Sequence, residues 1–342
     1  MTIILDAMGS DNHPEPEIAG ALAAAESLNE EIILVGNEEI LAPKLREQNK
    51  RGLPVRIEHA PDVLTMTDKP VEGAKLKPKN SMAVGLQLVK EGRGEAFVSA
   101  GNTGGVMFNA LRVLGRIKGV SRPAMAPLFP VRDGYAVVID IGANADVRPE
   151  FLLEFAIMGS LYAEKVRHIA NPRVGILSNG EEAGKGNQLV KDTFHLLENS
   201  GLNFVGNIEP KMLFAHQADV VVTDGFTGNI LLKTSEAVAR LLTDVIKEQI
   251  KSSLISSIGG LLVKPALKNV KSMMDPGEVG AVPLLGIDGL VFIGHGSSDA
   301  KAIFSAIKGA RTAIDAGLLA AMQAELPRRL VPTTPNSTPA AE

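Results

Sequence analysis

Six segments of the chain combine glycine with short polar side chains, and each follows a short apolar run. They are residues 6–13, 99–105, 140–144, 178–187, 224–229 and 294–299. Glycine lets the backbone approach a ligand closely, and free N–H groups at a helix N-terminus attract an anion. Together, the six segments predict a site for a phosphate or a carboxylate. Each segment alone is also typical of an ordinary turn between a strand and a helix.

Two side chains in these segments could stabilise an anion directly. Lys185 lies between two glycines at a predicted helix start, where its ammonium group would add to the attraction of the helix dipole for phosphate. The alternative is a solvated surface lysine. Asn229 ends a Gly-Phe-Thr-Gly-Asn turn and could donate a hydrogen bond to a developing oxyanion. Its alternative role is to cap the helix that follows.

Histidines and acids in the same segments are further candidates. His13 and His295 lie in segments that follow strands, so either could act as an acid, a base or an anion ligand, and a structural role is as consistent with the pattern. Glu181 and Glu182 could orient Lys185 or a water molecule, or simply form a solvated acidic loop.

The known catalytic motifs are mostly absent. Residues 180–186 resemble a Walker A loop, but the motif is one spacer residue short and glycine replaces the serine or threonine after Lys185. The sequence has no G-x-G-x-x-G, G-x-S-x-G or H-E-x-x-H. With no cysteine in the chain, thiolate nucleophiles, disulfides and cysteine-ligated metals are excluded. The pattern favours anion handling without a covalent intermediate.

Composition excludes several classes of partner. The 342 residues include 35 basic and 39 acidic side chains, for a net charge of −4, and only 4% are aromatic. Nucleic-acid binders usually carry a basic footprint or aromatic stacking platforms, so neither DNA nor RNA is an expected partner. The first residues lack the basic region of an export signal, and no apolar stretch reaches 18 residues. We expect a cytoplasmic protein.

Short β-branched runs that alternate with helix-period segments must position these residues. Continuously apolar runs are typical of strands buried on both faces of a parallel sheet. We therefore predict an α/β fold, a doubly wound and mostly parallel sheet with helices on both faces. The predicted strands are Ile3–Leu5, Ile32–Val35, Ala96–Val98, Ala136–Ile139, Val174–Leu177, Val220–Val222 and Val291–Ile293.

Helices and domain limits follow from the same pattern. Helices are predicted at Pro149–Lys165, Gly186–Asn199 and Ile230–Ile250. One catalytic domain is expected over residues 1–325, with a helical protrusion at about 240–280, and the proline-rich residues 326–342 are expected to form a disordered tail. Within the protrusion, Gly259-Gly260 and Pro265 predict a break between two helices. One helical face there is apolar, and it consists of Leu254, Ile255, Ile258, Leu261 and Leu262.

The six segments also carry a resemblance. LDAMGSDNHPE, SAGNTGGVM, VIDIGAN, LSNGEEAGKGN, TDGFTGNI and GLVFIGHGSSD together resemble the bacterial phosphate acyltransferase family, PlsX, over about residues 2–320. Each string is weak, but jointly they are specific. The resemblance implies transfer of a long fatty acyl group from acyl carrier protein to inorganic phosphate, with no metal or other cofactor. The acyl phosphate would pass to a glycerol-3-phosphate acyltransferase of phospholipid synthesis.

The resemblance further implies a homodimer attached peripherally to the membrane and a fold like those of phosphotransacetylases and isopropylmalate dehydrogenase. It points to Lys185 and Asn229 as catalytic. Lys185 would bind phosphate and transition-state charge, and Asn229 the oxyanion or phosphate. The predicted substrate and phosphate contacts are Asp6, Gly9, His13, Asn102, Thr103, Gly104, Ser178, Asn179, Glu182, Asp224, Gly228, His295, Gly296 and Ser297.

Two surfaces follow from this function. The protrusion's apolar face and its lysines suit binding to anionic lipid, and burial against a dimer partner or the core is the alternative. Acyl carrier protein is acidic, so a basic docking surface is expected. The candidates are Lys75, Lys77 and Lys79, in a segment (LKPKNSM) less rich in arginine than is usual for the family, or Arg112, Arg116, Lys118 and Arg122.

Two other functions stay open from the residues alone. One is a phosphotransacetylase acting on a short-chain acyl thioester of coenzyme A, which would not need an apolar tunnel for a fatty chain. The other is a non-catalytic, membrane-associated scaffold.

Overall fold

The computed structural model describes residues 1–273 and 275–330, and their strands form two sheets where we had predicted one. The first sheet has seven strands in the order β3-β2-β1-β4-β12-β11-β5, and β11 alone runs antiparallel to its neighbours. The strands of the first sheet are β1 (Thr2–Asp6), β2 (Glu31–Gly36), β3 (Val55–His59), β4 (Ala96–Ser99), β5 (Ala124–Met125), β11 (Ala281–Leu285) and β12 (Leu290–Gly294).

The second sheet has five strands in the order β6-β7-β10-β8-β9, and only the edge strand β6 is antiparallel to its neighbour. The strands of the second sheet are β6 (Leu128–Val131), β7 (Gly134–Ile139), β8 (Val174–Leu177), β9 (Phe204–Ile208) and β10 (Val220–Val222). All seven predicted strands are confirmed across the two sheets. The strands that we did not predict contain proline or glycine, are very short, or, in β3, contain Arg56 and Glu58, so their patterns are not continuously apolar.

Helices cover both faces of the sheets, as predicted. In β1, Ile3 and Leu5 pack in one buried core and Ile4 in another, because successive side chains of a strand point to opposite faces. The helices are α1 (Glu15–Leu28), α2 (Glu38–Gln48), α3 (Pro70–Leu76), α4 (Ser81–Lys90), α5 (Thr103–Val113), α6 (Pro149–Lys165), α7 (Gln188–Glu198), α8 (Pro210–Phe214), α9 (Gly225–Lys251), α10 (Leu254–Met273), α11 (Pro276–Val279), α12 (Ala300–Asp315) and α13 (Leu318–Arg329).

Three helix boundaries differ from the predictions by more than one residue, each for a local reason. Helix α6 has the predicted limits, but α7 begins at Gln188 because Asn187 is its N-cap. Helix α9 begins five residues before Ile230, since its cap is Asp224. Helix α13 continues to Arg329 and buries Leu326, so residues 326–329 are helical where we expected the tail to begin. Residues 331–342 lie outside the described residues.

The protrusion is a hairpin of two long helices, α9 and α10, and the predicted helix break is wrong. Helix α10 runs without interruption through Gly259-Gly260 and Pro265, and the chain turns instead at Ser252-Ser253. Gly260 is needed for packing, because a Cβ there would lie 2.4 Å from Cγ2 of Ile250 on α9. This glycine therefore lets the two helices of the hairpin approach closely.

Candidate functional site

The six glycine-containing loops divide between the two sheets, three to each. We name the loops after β1, β4 and β12 (residues 6–13, 99–105 and 294–299) the first rim. The loops after β7, β10 and β8 (residues 140–144, 224–229 and 178–187) form the second rim, and these three strands are hydrogen-bonded neighbours. Loops at the carboxyl ends of adjacent parallel strands lie side by side. Each rim is thus a compact group of three loops.

The loops of the first rim are bonded mainly to one another. Asp6 is fully buried and accepts hydrogen bonds from the Ser99 hydroxyl at 2.7 Å and from the backbone N–H of Met8 at 3.1 Å. Burial raises the pKa of this carboxyl. Gly9 permits the contact between two loops, because a Cβ there would lie 2.7 Å from the Gly101 nitrogen.

Asn102 uses its whole side chain to organise the first rim. Its Oδ1 accepts from the N–H of Gly105 at 3.0 Å and so caps α5. Its Nδ2 donates to the carbonyl oxygens of Thr65, Met66 and Asp68 at 3.1–3.3 Å. The amide therefore binds the 65–68 segment to the loop after β4. Next to it, Thr103 and Gly104 form the first turn of α5.

Both candidate histidines lie in the first rim and bond within their own loops. His13 Nδ1 lies 2.7 Å from the carbonyl oxygen of Ser10, and His295 Nδ1 lies 2.7 Å from the hydroxyl of Ser297. The two loops are joined where the N–H of Asp11 donates to the Gly296 carbonyl at 2.7 Å.

Glu17, on α1 beneath the first rim, was not predicted from the sequence. The carboxyl is fully buried and accepts from the N–H of Ser10 at 3.0 Å, and burial raises its pKa. The three loops of this rim contain no lysine or arginine.

Asp140 organises the second rim, and we did not single it out from the sequence. The carboxyl is fully buried and accepts five hydrogen bonds, from the N–H groups of Met125, Gly142, Ala143 and Asn144 and from the Asn144 side chain, at 2.7–3.3 Å. Burial nonetheless raises its pKa. Since Met125 belongs to β5, Asp140 also ties the second rim to the edge of the first sheet. Its position directly after the apolar run of β7 was the signal in the sequence.

The start of α9 is packed tightly against Asp140 and presents Asn229. Asp224 is the N-cap and accepts from the N–H and the hydroxyl of Thr227 at 2.8 and 2.7 Å. Asn229 lies beyond this cap in the helix and is exposed, so the alternative that it is the cap itself is wrong. A Cβ on Gly228 would lie 2.0 Å from the Asp140 carbonyl oxygen, so glycine is required at this position.

The loop after β8 presents Lys185. The Lys185 N–H donates to the carbonyl of Glu182 at 2.9 Å, and the next N–H, of Gly186, donates to Asn179 Oδ1 at 3.0 Å. The Lys185 stem lies on Gly180, where a Cβ would be 2.7 Å from Cγ of the lysine. The lysine itself is exposed.

Ser178, at the end of β8, contributes an unused hydroxyl to the second rim. Its Oγ is buried and has no hydrogen-bond partner among the described residues. The second rim thus brings the exposed Lys185 ammonium, the exposed Asn229 amide and the unpartnered Ser178 hydroxyl to the ends of neighbouring strands. Within residues 1–273 and 275–330, no three histidine, aspartate or glutamate side chains come together as a metal ion requires.

Comparison with known proteins identifies the family. Residues 1–321 match the fatty acid synthesis protein family. The chain belongs to that family. It is 48% identical over 319 residues to the phosphate acyltransferase of Pelotomaculum thermopropionicum, covering 93% of each chain. It is also 45% identical to the phosphate acyltransferase of Elusimicrobium minutum, covering 93% of this chain and 94% of the relative. The family resemblance predicted from the sequence is confirmed.

Solved structures confirm the fold class. A phosphotransacetylase from Streptococcus pyogenes superposes with a TM-score of 0.59 at 19% identity, covering 91% of this chain and 94% of the other. A 4-hydroxythreonine-4-phosphate dehydrogenase from Klebsiella pneumoniae gives a TM-score of 0.56 at 13% identity, with coverage of 91% and 98%. At these identities the likeness concerns the fold, which phosphotransacetylases and dehydrogenases share.

Proposed function

We propose that this acyltransferase moves a long-chain fatty acyl group from acyl carrier protein to inorganic phosphate. The product, an acyl phosphate, would serve a glycerol-3-phosphate acyltransferase in phospholipid synthesis. Membership of a family whose curated relatives are phosphate acyltransferases supports the reaction type. One structural observation supports the location of the chemistry. Lys185 and Asn229 are both exposed, Lys185 on the loop after β8 and Asn229 near the start of α9, which follows the adjacent parallel strand β10.

In the proposed mechanism, a phosphate oxygen attacks the carbonyl carbon of the thioester. A tetrahedral oxyanion forms and collapses, the carbon–sulfur bond breaks, and the carrier thiolate leaves and takes a proton from solvent. Phosphate is already anionic at neutral pH, so no enzyme nucleophile is needed. The Lys185 ammonium offsets the charge of phosphate and transition state, and the Asn229 amide donates to the oxyanion. Positioning contributes about 7–11 kcal/mol and one oxyanion donor about 3–4 kcal/mol.

The other predicted contacts take different roles in this proposal. The Ser178 hydroxyl is a phosphate donor, because it is buried without another partner in the described residues. Asn179 and Glu182 hold the Lys185 loop, and Asp224 and Gly228 hold the start of α9. The predicted residues of the first rim form a wall of the pocket. They are Asp6, Gly9, His13, Asn102, Thr103, Gly104, His295, Gly296 and Ser297.

The decisive experiment is Lys185→Ala, assayed by phosphate-dependent release of the carrier thiol from acyl carrier protein thioester. Turnover is expected to fall about 100- to 1,000-fold, as when one electrostatic donor is lost from a transition state. The matched control is Lys191→Ala, an exposed lysine on the neighbouring helix α7. Normal turnover of Lys185→Ala would refute the assignment, provided that both variants fold.

The same assay separates the alternatives. A short-chain phosphotransacetylase would use acetyl-coenzyme A at least as well as a long-chain carrier thioester. A membrane scaffold would bind lipid without cleaving either thioester. The name of the relatives, phosphate acyltransferase, favours acyl transfer to phosphate over a scaffold, and the phosphotransacetylases resemble this chain in fold at under 20% identity.

Of the two basic regions, the one around α3 is the better docking site for acyl carrier protein. It adjoins the first rim, because Pro70 packs on Gly104. The other region comprises the last turn of α5 and the residues after it, and α5 leads about 16 Å away from that rim over 11 residues. Lys77 is paired with Asp68 at 2.6 Å. Lys75 and Lys79 are exposed. Replacing Lys75 and Lys79 by glutamate should raise KM for the carrier thioester, and the same change at Arg112 and Lys118 should not.

The hairpin supports a peripheral membrane attachment of a cytoplasmic protein. Ile255, Leu261 and Leu262 on α10 are 84%, 69% and 79% exposed, and Ile258 is 55% exposed. The side chain of Leu254 lies outside the described residues. None of the described helices is long and apolar enough to cross a bilayer. Flotation with phosphatidylglycerol vesicles should fall for Ile255→Glu with Leu261→Glu, but less for the equally charged control Ser252→Glu with Ser253→Glu.

Exposed apolar residues on α9 support the homodimer. Val238, Leu241 and Leu242 are about half exposed or more in the single chain. A second copy that packs helix against helix would cover them. Sedimentation equilibrium of the wild type and of Leu241→Asp tests this, and a monomeric wild type would contradict it.

A further inference from the structure

The loop that carries Lys185 (residues 178–187) is held by a residue of β9, the edge strand that pairs with β8. Asn207 lies on β9, which pairs with β8, and it is 2% exposed. Its Nδ2 donates to the carbonyl of Glu182 at 2.7 Å, and this same carbonyl accepts the N–H of Lys185 at 2.9 Å. Two bonds therefore converge on one oxygen, and they join a rigid strand to the catalytic loop.

The fold has little need of an amide at this position. The Oδ1 of Asn207 is buried without a partner among the described residues, which costs free energy. If the side chain were apolar, the Glu182 carbonyl would still accept the Lys185 N–H. Loss of the amide would therefore leave no carbonyl oxygen without a hydrogen-bond donor. What it would remove is the tie between the strand and the loop.

We propose that Asn207 is a positioning residue for Lys185 and acts through the Glu182 carbonyl. The inference rests on the proposed function of Lys185. The Asn207 bond fixes Glu182, the Glu182 carbonyl fixes the Lys185 backbone, and Gly180 supports the lysine stem. Without the first bond, the loop gains freedom and the ammonium group spends less time beside the phosphate.

The test is Asn207→Leu, with thiol release measured at saturating substrates. We expect kcat to fall about 10- to 100-fold, the loss that follows from misplacing a catalytic group by about 1 Å. The KM for the carrier thioester and the melting temperature should stay near the wild-type values. The matched control is Asn203→Leu, because Asn203 makes a similar bond at the other end of β9, from Nδ2 to the Asn171 carbonyl at 3.0 Å.

A double variant distinguishes positioning from a general structural effect. If Asn207 acts only through Lys185, adding Asn207→Leu to Lys185→Ala should cost less than a further twofold. A full 10- to 100-fold further loss, or normal kcat in Asn207→Leu itself, would overturn the inference. Asn207→Ala removes the donor without adding bulk or a buried charge, so it replaces the leucine variant if that one does not fold. Normal turnover of Lys185→Ala would instead refute the proposed function.

Discussion

The two rims use the same residue types but do different things with them. In the first rim, the polar groups of Asp6, Ser99 and Asn102 bond to one another and to neighbouring backbone. In the second, the one buried carboxyl faces inward onto five donors, while Lys185 and Asn229 are left exposed. The residue composition of a loop alone therefore predicts that the chain turns there, but not whether the loop binds a ligand. Tracing each hydrogen bond shows which polar groups are free for a ligand.

The rims differ in their cations and not in their number of acids. The first rim carries Asp6, Asp11 and Asp299 in its loops and Glu17 beneath them, with no lysine or arginine in those loops. The second rim carries Asp140, Glu181, Glu182 and Asp224, but it also carries Lys185, and its Asp140 carboxyl is surrounded by N–H groups. Of the two rims, only the second therefore offers a lysine ammonium to a phosphate. The comparison predicts that substitutions in the second rim change turnover and those in the first change stability.

The largest expected effect is that of Asn229→Ala. Because its amide is exposed and the cap of α9 is Asp224, removing it should leave the fold intact. Turnover should fall about 100- to 1,000-fold through loss of an oxyanion donor. Thiol-release kinetics and a melting curve measure the two quantities. A stability loss with normal turnover would show that Asn229 stabilises the fold and does not act in turnover. The contrast between the two rims would then be lost.

Asn102→Ala in the first rim should show the reverse pattern. The variant loses an N-cap and the amide bonds to the 65–68 segment. Loss of such a cap costs about 0.5–2 kcal/mol, and the amide bonds add to this. Urea denaturation should show lower stability, while turnover per folded molecule should fall less than tenfold. If Asn102→Ala were as inactive as Asn229→Ala with unchanged stability, the first rim would contain catalytic groups.

The sequence predicted what depends on local pattern. All seven strands with continuously apolar runs were found, since burial on both faces leaves that signature. The edge strand β6, which contains Pro130, and β9, which contains Gly206, break the pattern and were missed. The break predicted in α10 was wrong, because Gly260 serves the packing of the hairpin.

The division into two rims could not be predicted, because strand order is set by tertiary pairing and no local pattern encodes it. The same holds for hydrogen bonds between distant parts of the chain. Asp140 meets the N–H of Met125, on β5, only in the folded protein. Asn207 meets the Glu182 carbonyl 25 residues away only because β9 pairs with β8. Lys185 and Asn229 were found because each lies in a glycine-rich segment of sequence shortly after a continuously apolar strand.

The smallest expected effect is that of Glu17→Gln, and it concerns stability as a function of pH. Burial raises the pKa of Glu17 above its usual value of 4.5. Between the unfolded-state pKa of 4.5 and the higher folded-state pKa, the folded protein binds more protons than the unfolded chain. The stabilising contribution of Glu17 is therefore complete below pH 4.5. It is lost as the pH rises through the folded-state pKa. Glutamine is neutral and can still accept from the N–H of Ser10. The variant should therefore melt higher than wild type at pH 8 and close to it at pH 4.5.

Glu15→Gln is the matched control, two residues away on α1. Glu15 is exposed, and its hydrogen bond to Lys44 lowers its pKa, so its small contribution has the opposite sign and is lost as the pH falls. Calorimetry of both variants from about pH 3 to 8 measures the two trends. Since Glu17 lies beneath the first rim, turnover of Glu17→Gln should equal that of wild type at neutral pH. A marked loss of turnover, or no gain in melting temperature at pH 8, would show that the buried carboxylate does more than hold the Ser10 loop.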